Sequence, residues 1–316
     1  MHPNVSVIVP VYNGQSDLPD LLDCLRSQTY PSDRVEYLIV DNHSGDRTME
    51  ILQAAANDRT INLRPLSEAQ IQSSYAARNV GIRAATADLL AFADADCRPQ
   101  PHWLEALVAP FSAPEIGLVV GEIQALPART LLERHAERQD TLSQKHTLNH
   151  HFCPYGQTAN LAVRKQALQE VGLFRPYLTT GGDADLCWRI LKQTNWQLKF
   201  AENAVVRHRH RATLKQLQSQ WRRYGESNRY LHQLHGVDLM PEKTSGEYAY
   251  RLAQWFVKEL PKNALKAISG RGSGADILGG PIGILTARAR ERGQREAHLP
   301  EKARQIEWLE KSDRLQ

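Results

Sequence analysis

The sequence predicts an α/β protein: a parallel, doubly wound sheet flanked by helices, followed by a helical extension at the C-terminal end. Three observations carry this reading. Apolar runs of strand length alternate with helix-spaced segments through the first hundred residues. Polar residues, several of them acidic, follow the ends of three of these runs, where ligands collect in open parallel sheets. Beyond Thr213 the patterns become helical.

The elements follow in order. Val5 to Val11 is a β-branched run suited to a strand buried on both faces, and it breaks at Tyr12-Asn13-Gly14. Leu18, Leu21, Leu22 and Leu25 then share one helical face. Val35 to Val40 is the second run and ends at Asp41-Asn42. Ser44-Gly45-Asp46 precedes a helix from about Thr48 to Ala56. Ile61 to Leu66 forms a third strand, and Ser74 to Ala85 a third helix. Leu89 to Ala93 is the fourth run, stopping at Asp94-Ala95-Asp96. Gly117 to Ile123 reads as a further strand, Arg129 to Leu148 as a polar helix, and Thr158 to Arg189 as a compact set of short elements. From Thr213 helices are expected to the end, broken at 270–274 and 279–283. The expected division is a binding and catalytic domain over 1–212 and a helical extension over 213–316.

Of the 316 residues, 41% are hydrophobic and 23% charged, as in an ordinary soluble globular protein. A net charge of +4 gives no reason to expect a nucleic acid partner. Cys24, Cys97, Cys153 and Cys187 form no CxxC pair and read as buried thiols in a reducing compartment. Neither a signal peptide nor a membrane span is visible, so a cytoplasmic location is expected. Gly270 to Ala275 formally fits a dinucleotide fingerprint, but it follows a helical pattern instead of a strand and is rejected as a cofactor site.

Several residues bear chemistry. Asp94 and Asp96, at i and i+2 beyond a buried strand, suit a shared Mn²⁺ or Mg²⁺, or a division of labour between cation and ribose. The competing reading is a pair of turn aspartates capping the helix that starts near Pro101. Arg78 offers a planar donor fork to phosphate oxygens, or lies on a solvated helix face. Gly181-Gly182-Asp183-Ala184-Asp185 opens an amphipathic helix, where aspartate caps backbone N–H groups. Basic residues crowd Arg207 to Arg229 and read as a solvated face, a phosphate lid or a patch for anionic lipid. Trp103 and Trp188 are core or acceptor-groove aromatics, with core preferred. Leu252 to Ile268 mixes apolar residues with lysines and is interrupted by Pro261. Packing on the body is preferred there to peripheral contact with the inner membrane surface.

In order and spacing, Val5–Asn13, Val35–Ser44, Ala77-Arg78-Asn79-Val80-Gly81 and Ala93-Asp94-Ala95-Asp96 closely resemble the family 2 glycosyltransferases. With the Gly181–Arg189 segment, the resemblance extends over about residues 4 to 225. It implies a GT-A fold with a mixed sheet and a nucleotide-sugar donor. Through the family, Pro10, Tyr12 and Asp41 resemble the pocket for the nucleotide base, with Asn13 beside them and Asp46 or Arg47 at the rim. Arg78 and Asn79 resemble contacts to the diphosphate or ribose. Asp94 resembles the ribose- or metal-facing acid and Asp96 the principal metal ligand. Asp183 matches the general base, and Asp185 a support for the helix start or acceptor loop. Gly182 departs from the family, which usually has glutamate there. A histidine after a late strand commonly completes the metal site: His208 matches it best and His210 is the fallback. Gln220-Trp221-Arg222-Arg223-Tyr224 resembles a variant of a processive motif, with Arg223 as an acceptor-side candidate. The tyrosine in place of tryptophan favours transfer of a single sugar.

These resemblances imply inverting transfer from a nucleotide diphosphate sugar, UDP being the commonest carrier in the family. The acceptor is a glycan, a lipid-linked sugar or another hydroxyl compound. Two rivals stay open: a sugar-nucleotide nucleotidyltransferase, and a catalytically silent nucleotide-sugar or glycan-binding protein.

Overall fold

The computed structural model describes residues 2–269 and 274–309, so the rejected fingerprint at 270–275 lies mostly outside the described residues. The elements are β1 (Val5–Val11), α1 (Leu18–Arg26), β2 (Val35–Asp41), α2 (Thr48–Asn57), β3 (Leu63–Ser67), α3 (Ser74–Ala84), β4 (Leu89–Ala93), β5 (Cys97–Pro99), α4 (Trp103–Val108) and β6 (Ile116–Ala125). They continue with α5 (Leu131–Arg138), α6 (Gln144–Leu148), β7 (Asn160–Arg164), α7 (Lys165–Val171), α8 (Gly182–Gln193) and β8 (Gln197–His208). The remainder is α9 (Leu214–His235), α10 (Ser245–Gln254), α11 (Leu260–Ile268), α12 (Gly274–Ile277) and α13 (Gly279–Glu296).

Two compact units result. The first comprises residues 1–124, 142–208 and 300–316, and the second 125–141 and 209–299. In the first, eight strands form a sheet in the order β3-β2-β1-β4-β7-β6-β8-β5. The first four are parallel, with Val5 opposite Val35 and Leu89, and Tyr37 opposite Leu63. Every residue of β1, β2 and β4 is buried, which explains why these strands read as unbroken apolar runs instead of alternating ones. The sheet turns mixed where β7 runs antiparallel to both β4 and β6, and β5 antiparallel to β8. Trp103 is a core residue: fully buried, its indole N–H donates to Asn160 Oδ1 at 2.8 Å. The Asn160 amide in turn donates to the carbonyls of Glu122 and Ala204, joining β7 to β6 and β8.

In the second unit α9 and α13 cross at two glycines. A Cβ on Gly225 would lie 1.9 Å from the Arg290 carbonyl oxygen, and one on Gly293 2.0 Å from that of Arg222. Only hydrogen fits between those backbones.

Some expectations required correction. The single polar helix over 129–148 is two short helices. Asp140 adopts a left-handed φ of 46° between them, and Ser143 caps the second by accepting from Lys145 N–H. Residues 279–283 are no break but the first turns of α13. There Gly280 admits the ring of Trp255, to which a Cβ would come within 2.2 Å. Pro261 stays inside helix, after a π-helical turn over Trp255–Glu259 that relaxes the hydrogen bonding its ring would disturb. The described residues past α13 are not α-helical either. Over 297–309 they hold one 3₁₀ turn, Glu301–Arg304, and Glu307 O accepts from Leu173 N at 2.7 Å within the first unit. Among the described residues, no helix is long and apolar enough to cross a membrane.

Candidate active site

The loops after β1 and β2 brace each other. Asn13 N–H donates to Ser44 Oγ, Gly14 N–H to Thr48 Oγ1 and Gln15 N–H to Asp46 Oδ2, at 2.8, 2.8 and 3.1 Å. In return Gly45 N–H donates to Asn13 Oδ1 and Arg47 N–H to Gln15 Oε1. Asp46 also accepts from Thr48 N–H at the start of α2. The side chains of Asn13 and Asp46 are thus committed to the frame. The backbone donors at 13–15 are all satisfied, which leaves no phosphate cradle of the kind a nucleotidyltransferase needs after its first strand. Pro10 is buried within β1 opposite Val40. At the carboxyl ends of the strands, Tyr12 is exposed, and buried Asp41 accepts from Ser44 N–H at 3.2 Å.

The fourth strand delivers the acidic pair. Asp94 Oδ1 accepts from the Arg78 guanidinium at 2.5 Å. Arg78 is buried, lies 5.6 Å from the centroid of the Tyr75 ring and 6.0 Å from that of Phe174, and its Nε has no partner among the described residues. The alternative of a solvated helix face is therefore not what α3 presents at Arg78. Asp96 Oδ1 is 3.1 Å from His208 Nε2, because the β5–β8 register sets His208 opposite Cys97. Asp96, Cys97 and His208 form a cluster whose ligand atoms lie within 4.8 Å of one another. Burial pushes the Cys97 thiol well above its ordinary range, and Asp94 and Asp96 add to this, so it stays protonated. His210 lies past the end of β8, in the second unit.

Asp183 stands in the first turn of α8, after Gly181 at a left-handed φ of 79°. Its carboxylate accepts from Thr158 Oγ1 at 3.1 Å and, at a longer 3.4 Å, from Thr158 N–H. Burial pushes its affinity for a proton up; the positive charge of Arg78 lowers it and the negative charge of Asp94 raises it. These couplings put Arg78, Asp94 and Asp183 in one electrostatic neighbourhood. Gly182 has a physical reason here: its N–H donates to the Tyr75 hydroxyl at 3.0 Å, and a Cβ would meet that ring at 2.7 Å.

Other candidates sit elsewhere. Asn79 is fully buried, exchanges hydrogen bonds with the Phe174 backbone and donates to Glu307. A diphosphate or ribose contact from that side chain has to be given up, because its amide is spent on the frame. Asp185 is fully buried between Arg175 and Arg189 and secures α8. Trp188 is buried, with its N–H donating to Cys153 O. Arg223 is exposed on α9, in the second unit.

Sequence reasoning overlooked Tyr75, Thr158 and an aromatic group in the loop before β7. His150 and His151 stack at 4.6 Å, and the rings of His150, Phe152 and Tyr155 each lie within 5.8 Å of Trp188. Four rings within six residues was the available signal; nothing in the sequence marks Thr158.

The family model described as "Glycosyl transferase family 2" matches residues 6–172. Asp183 and His208 lie past the matched segment. Glycosyltransferase AglE of Haloferax volcanii is 35% identical over 229 residues, covering 70% of this chain and 71% of that protein. The pre-mycofactocin glycosyltransferase of Mycobacterium tuberculosis is 28% identical over 299 residues; 93% of this chain spans 58% of its length. Among solved structures, the mannosyltransferase PcManGT of Pyrobaculum calidifontis, in complex with GDP-Man and Mn²⁺, superposes with a TM-score of 0.62 at 18% identity. That match covers 94% of this chain and 88% of the other, and bears out the GT-A fold. With more than half its length inside the family model and a well-covered relative above 30% identity, the chain belongs to glycosyl transferase family 2.

Proposed function

We propose that this glycosyltransferase moves a single sugar, with inversion, from a nucleotide diphosphate donor to a hydroxyl acceptor, residues 1–212 carrying the chemistry. UDP is the expected carrier. The observation that carries the reading is the Asp183 carboxylate, oriented by Thr158 and kept more basic than an ordinary aspartate beside the Arg78–Asp94 pair. A hydroxyl is a poor nucleophile. Asp183 removes the acceptor proton as its oxygen attacks the anomeric carbon, and the bond to the diphosphate breaks with its electron pair leaving on the phosphate oxygen. A base whose pKa is raised toward the working pH is better matched to this task. Arg78, buried under Asp94, acts as a positioning residue and not as an exposed phosphate clamp. Tyr12 and Asp41 border the donor base pocket.

The residues present suit a divalent cation. Asp96 Oδ1 and His208 Nε2 are 3.1 Å apart, close to the ~3 Å edge of an octahedron with ~2.1 Å bonds. Carboxylate and imidazole are acceptable donors for Mn²⁺, whereas the protonated Cys97 is not one. Asp96 and His208 would hold the ion, while Asp94 is already paired with Arg78. Bound there, Mn²⁺ or Mg²⁺ supplies positive charge that stabilises the departing diphosphate.

A thermal-shift panel of UDP-, GDP- and dTDP-sugars, each with and without Mn²⁺, tests the assignment. One donor should stabilise the protein only with the metal, and Asp96→Ala should remove that dependence. Equal stabilisation of Asp96→Ala and the natural chain would remove the cation from this site.

A further inference from the structure

The segment from α10 through the π-helical turn to α11 has two unlike faces. One is fixed within the second unit. The Tyr248 hydroxyl donates to Glu291 Oε1 at 2.7 Å, the Trp255 indole N–H to Ile277 O at 2.9 Å, and the Asn263 amide to Asp276 O at 3.0 Å. The other face carries large apolar side chains in the open: Phe256 at 63%, Val257 and Leu265 at 69% and Ile268 at 84% exposure. The preference for packing therefore fails for this face, since only the Tyr248–Trp255–Asn263 side is packed. Ala253, Val257, Pro261 and Leu265 recur every fourth residue and form one row. Lys258, Lys262 and Lys266 follow one residue later and form a row beside it, all exposed. From Tyr250 to Ile268 there are four basic residues and one acid, Glu259.

We infer that this face docks onto a lipid bilayer bearing anionic headgroups. An in-plane helix places its apolar row at the acyl boundary while lysines reach headgroup level on long stems. Exposed Tyr250 is of the aromatic class that favours the interface, and exposed Phe256 of the kind carried on the apolar face of an in-plane helix. Charge complementarity selects lipid over a second copy of this chain: a self-complementary interface would set the lysine rows of two copies near each other, with little acid to offset them.

The test is co-sedimentation of the full chain with vesicles of pure phosphatidylcholine, or of phosphatidylcholine mixed with phosphatidylglycerol. Binding should be strong to the anionic vesicles, weak to the neutral ones, and reduced by salt. Charge reversal in Lys258→Glu, Lys262→Glu, Lys266→Glu together should lower partitioning at least ~100-fold. Phe256→Ser with Leu265→Ser should lower it about tenfold or more. Both variants should keep the natural melting temperature, since the altered side chains are exposed. Three outcomes would each overturn the inference: no binding to anionic vesicles, undiminished binding by both variants, or a dimer in light scattering that Phe256→Ser dissociates.

Discussion

Asp183 concentrates the conflict between stability and activity in one carboxyl group. Burial disfavours its charged form, so in the folded chain it binds its proton more tightly than in the unfolded one. Its contribution to stability is then fully present below the unfolded pKa and is lost as pH rises through the folded one. Asp183→Asn should therefore melt higher than the natural protein at neutral pH, with the gain shrinking as pH falls toward about 4. The same substitution should reduce sugar transfer roughly 10²–10⁴-fold while leaving donor-induced stabilisation intact. Undiminished turnover would move the base elsewhere. Arg78 offers a second check. Its charge lowers the Asp183 pKa, so Arg78→Gln should shift the acid limb of the kcat/KM profile to higher pH. An unmoved limb in that variant would uncouple the two residues. Tyr75 and Thr158 contribute here because each meets the start of α8, one through Gly182 and the other through Asp183.

Close approach of backbones governs the pairing of elements. The α9–α13 crossing depends on Gly225 and Gly293, and Gly293→Ala would force a methyl group to within 2.0 Å of a main-chain carbonyl oxygen that cannot step aside. The two helices must separate or tilt, and a loss of about 1–3 kcal/mol in urea unfolding is expected. Stability equal to the natural chain would mean that the crossing is looser than described. The glycine signal was present in the sequence but pointed to nothing, because a glycine inside a helical pattern reads only as a weak helix former. Its purpose appears once the partner helix is known. The polar stretch 129–148 misled for a related reason: helical spacing persists across Asp140, and only the left-handed backbone there reveals the break.

On the scale of the whole molecule, the segment after α13 returns to the first unit and binds α3. Glu307 Oε2 accepts from Asn79 at 2.8 Å and from Arg83 at 2.6 Å, across 228 and 224 residues of sequence. Glu307→Ala leaves the buried Asn79 amide with one acceptor fewer, and should cost about 1–3 kcal/mol of stability in thermal or urea unfolding. An unchanged transition would show that the tail is dispensable for the first unit. By itself the sequence determined the strand-and-helix alternation, the buried parallel strands and the acids at their carboxyl ends. Those patterns record which residues of each segment face the core, on both faces of the buried strands and on one face of the helices, a property of neighbouring residues. The tertiary structure alone decided that His208 meets Asp96, that Arg78 turns inward to Asp94, that Asn79 belongs to the frame and that Thr158 orients Asp183. These pairings depend on sheet order and register between segments 16 to 112 residues apart, and no local pattern encodes that.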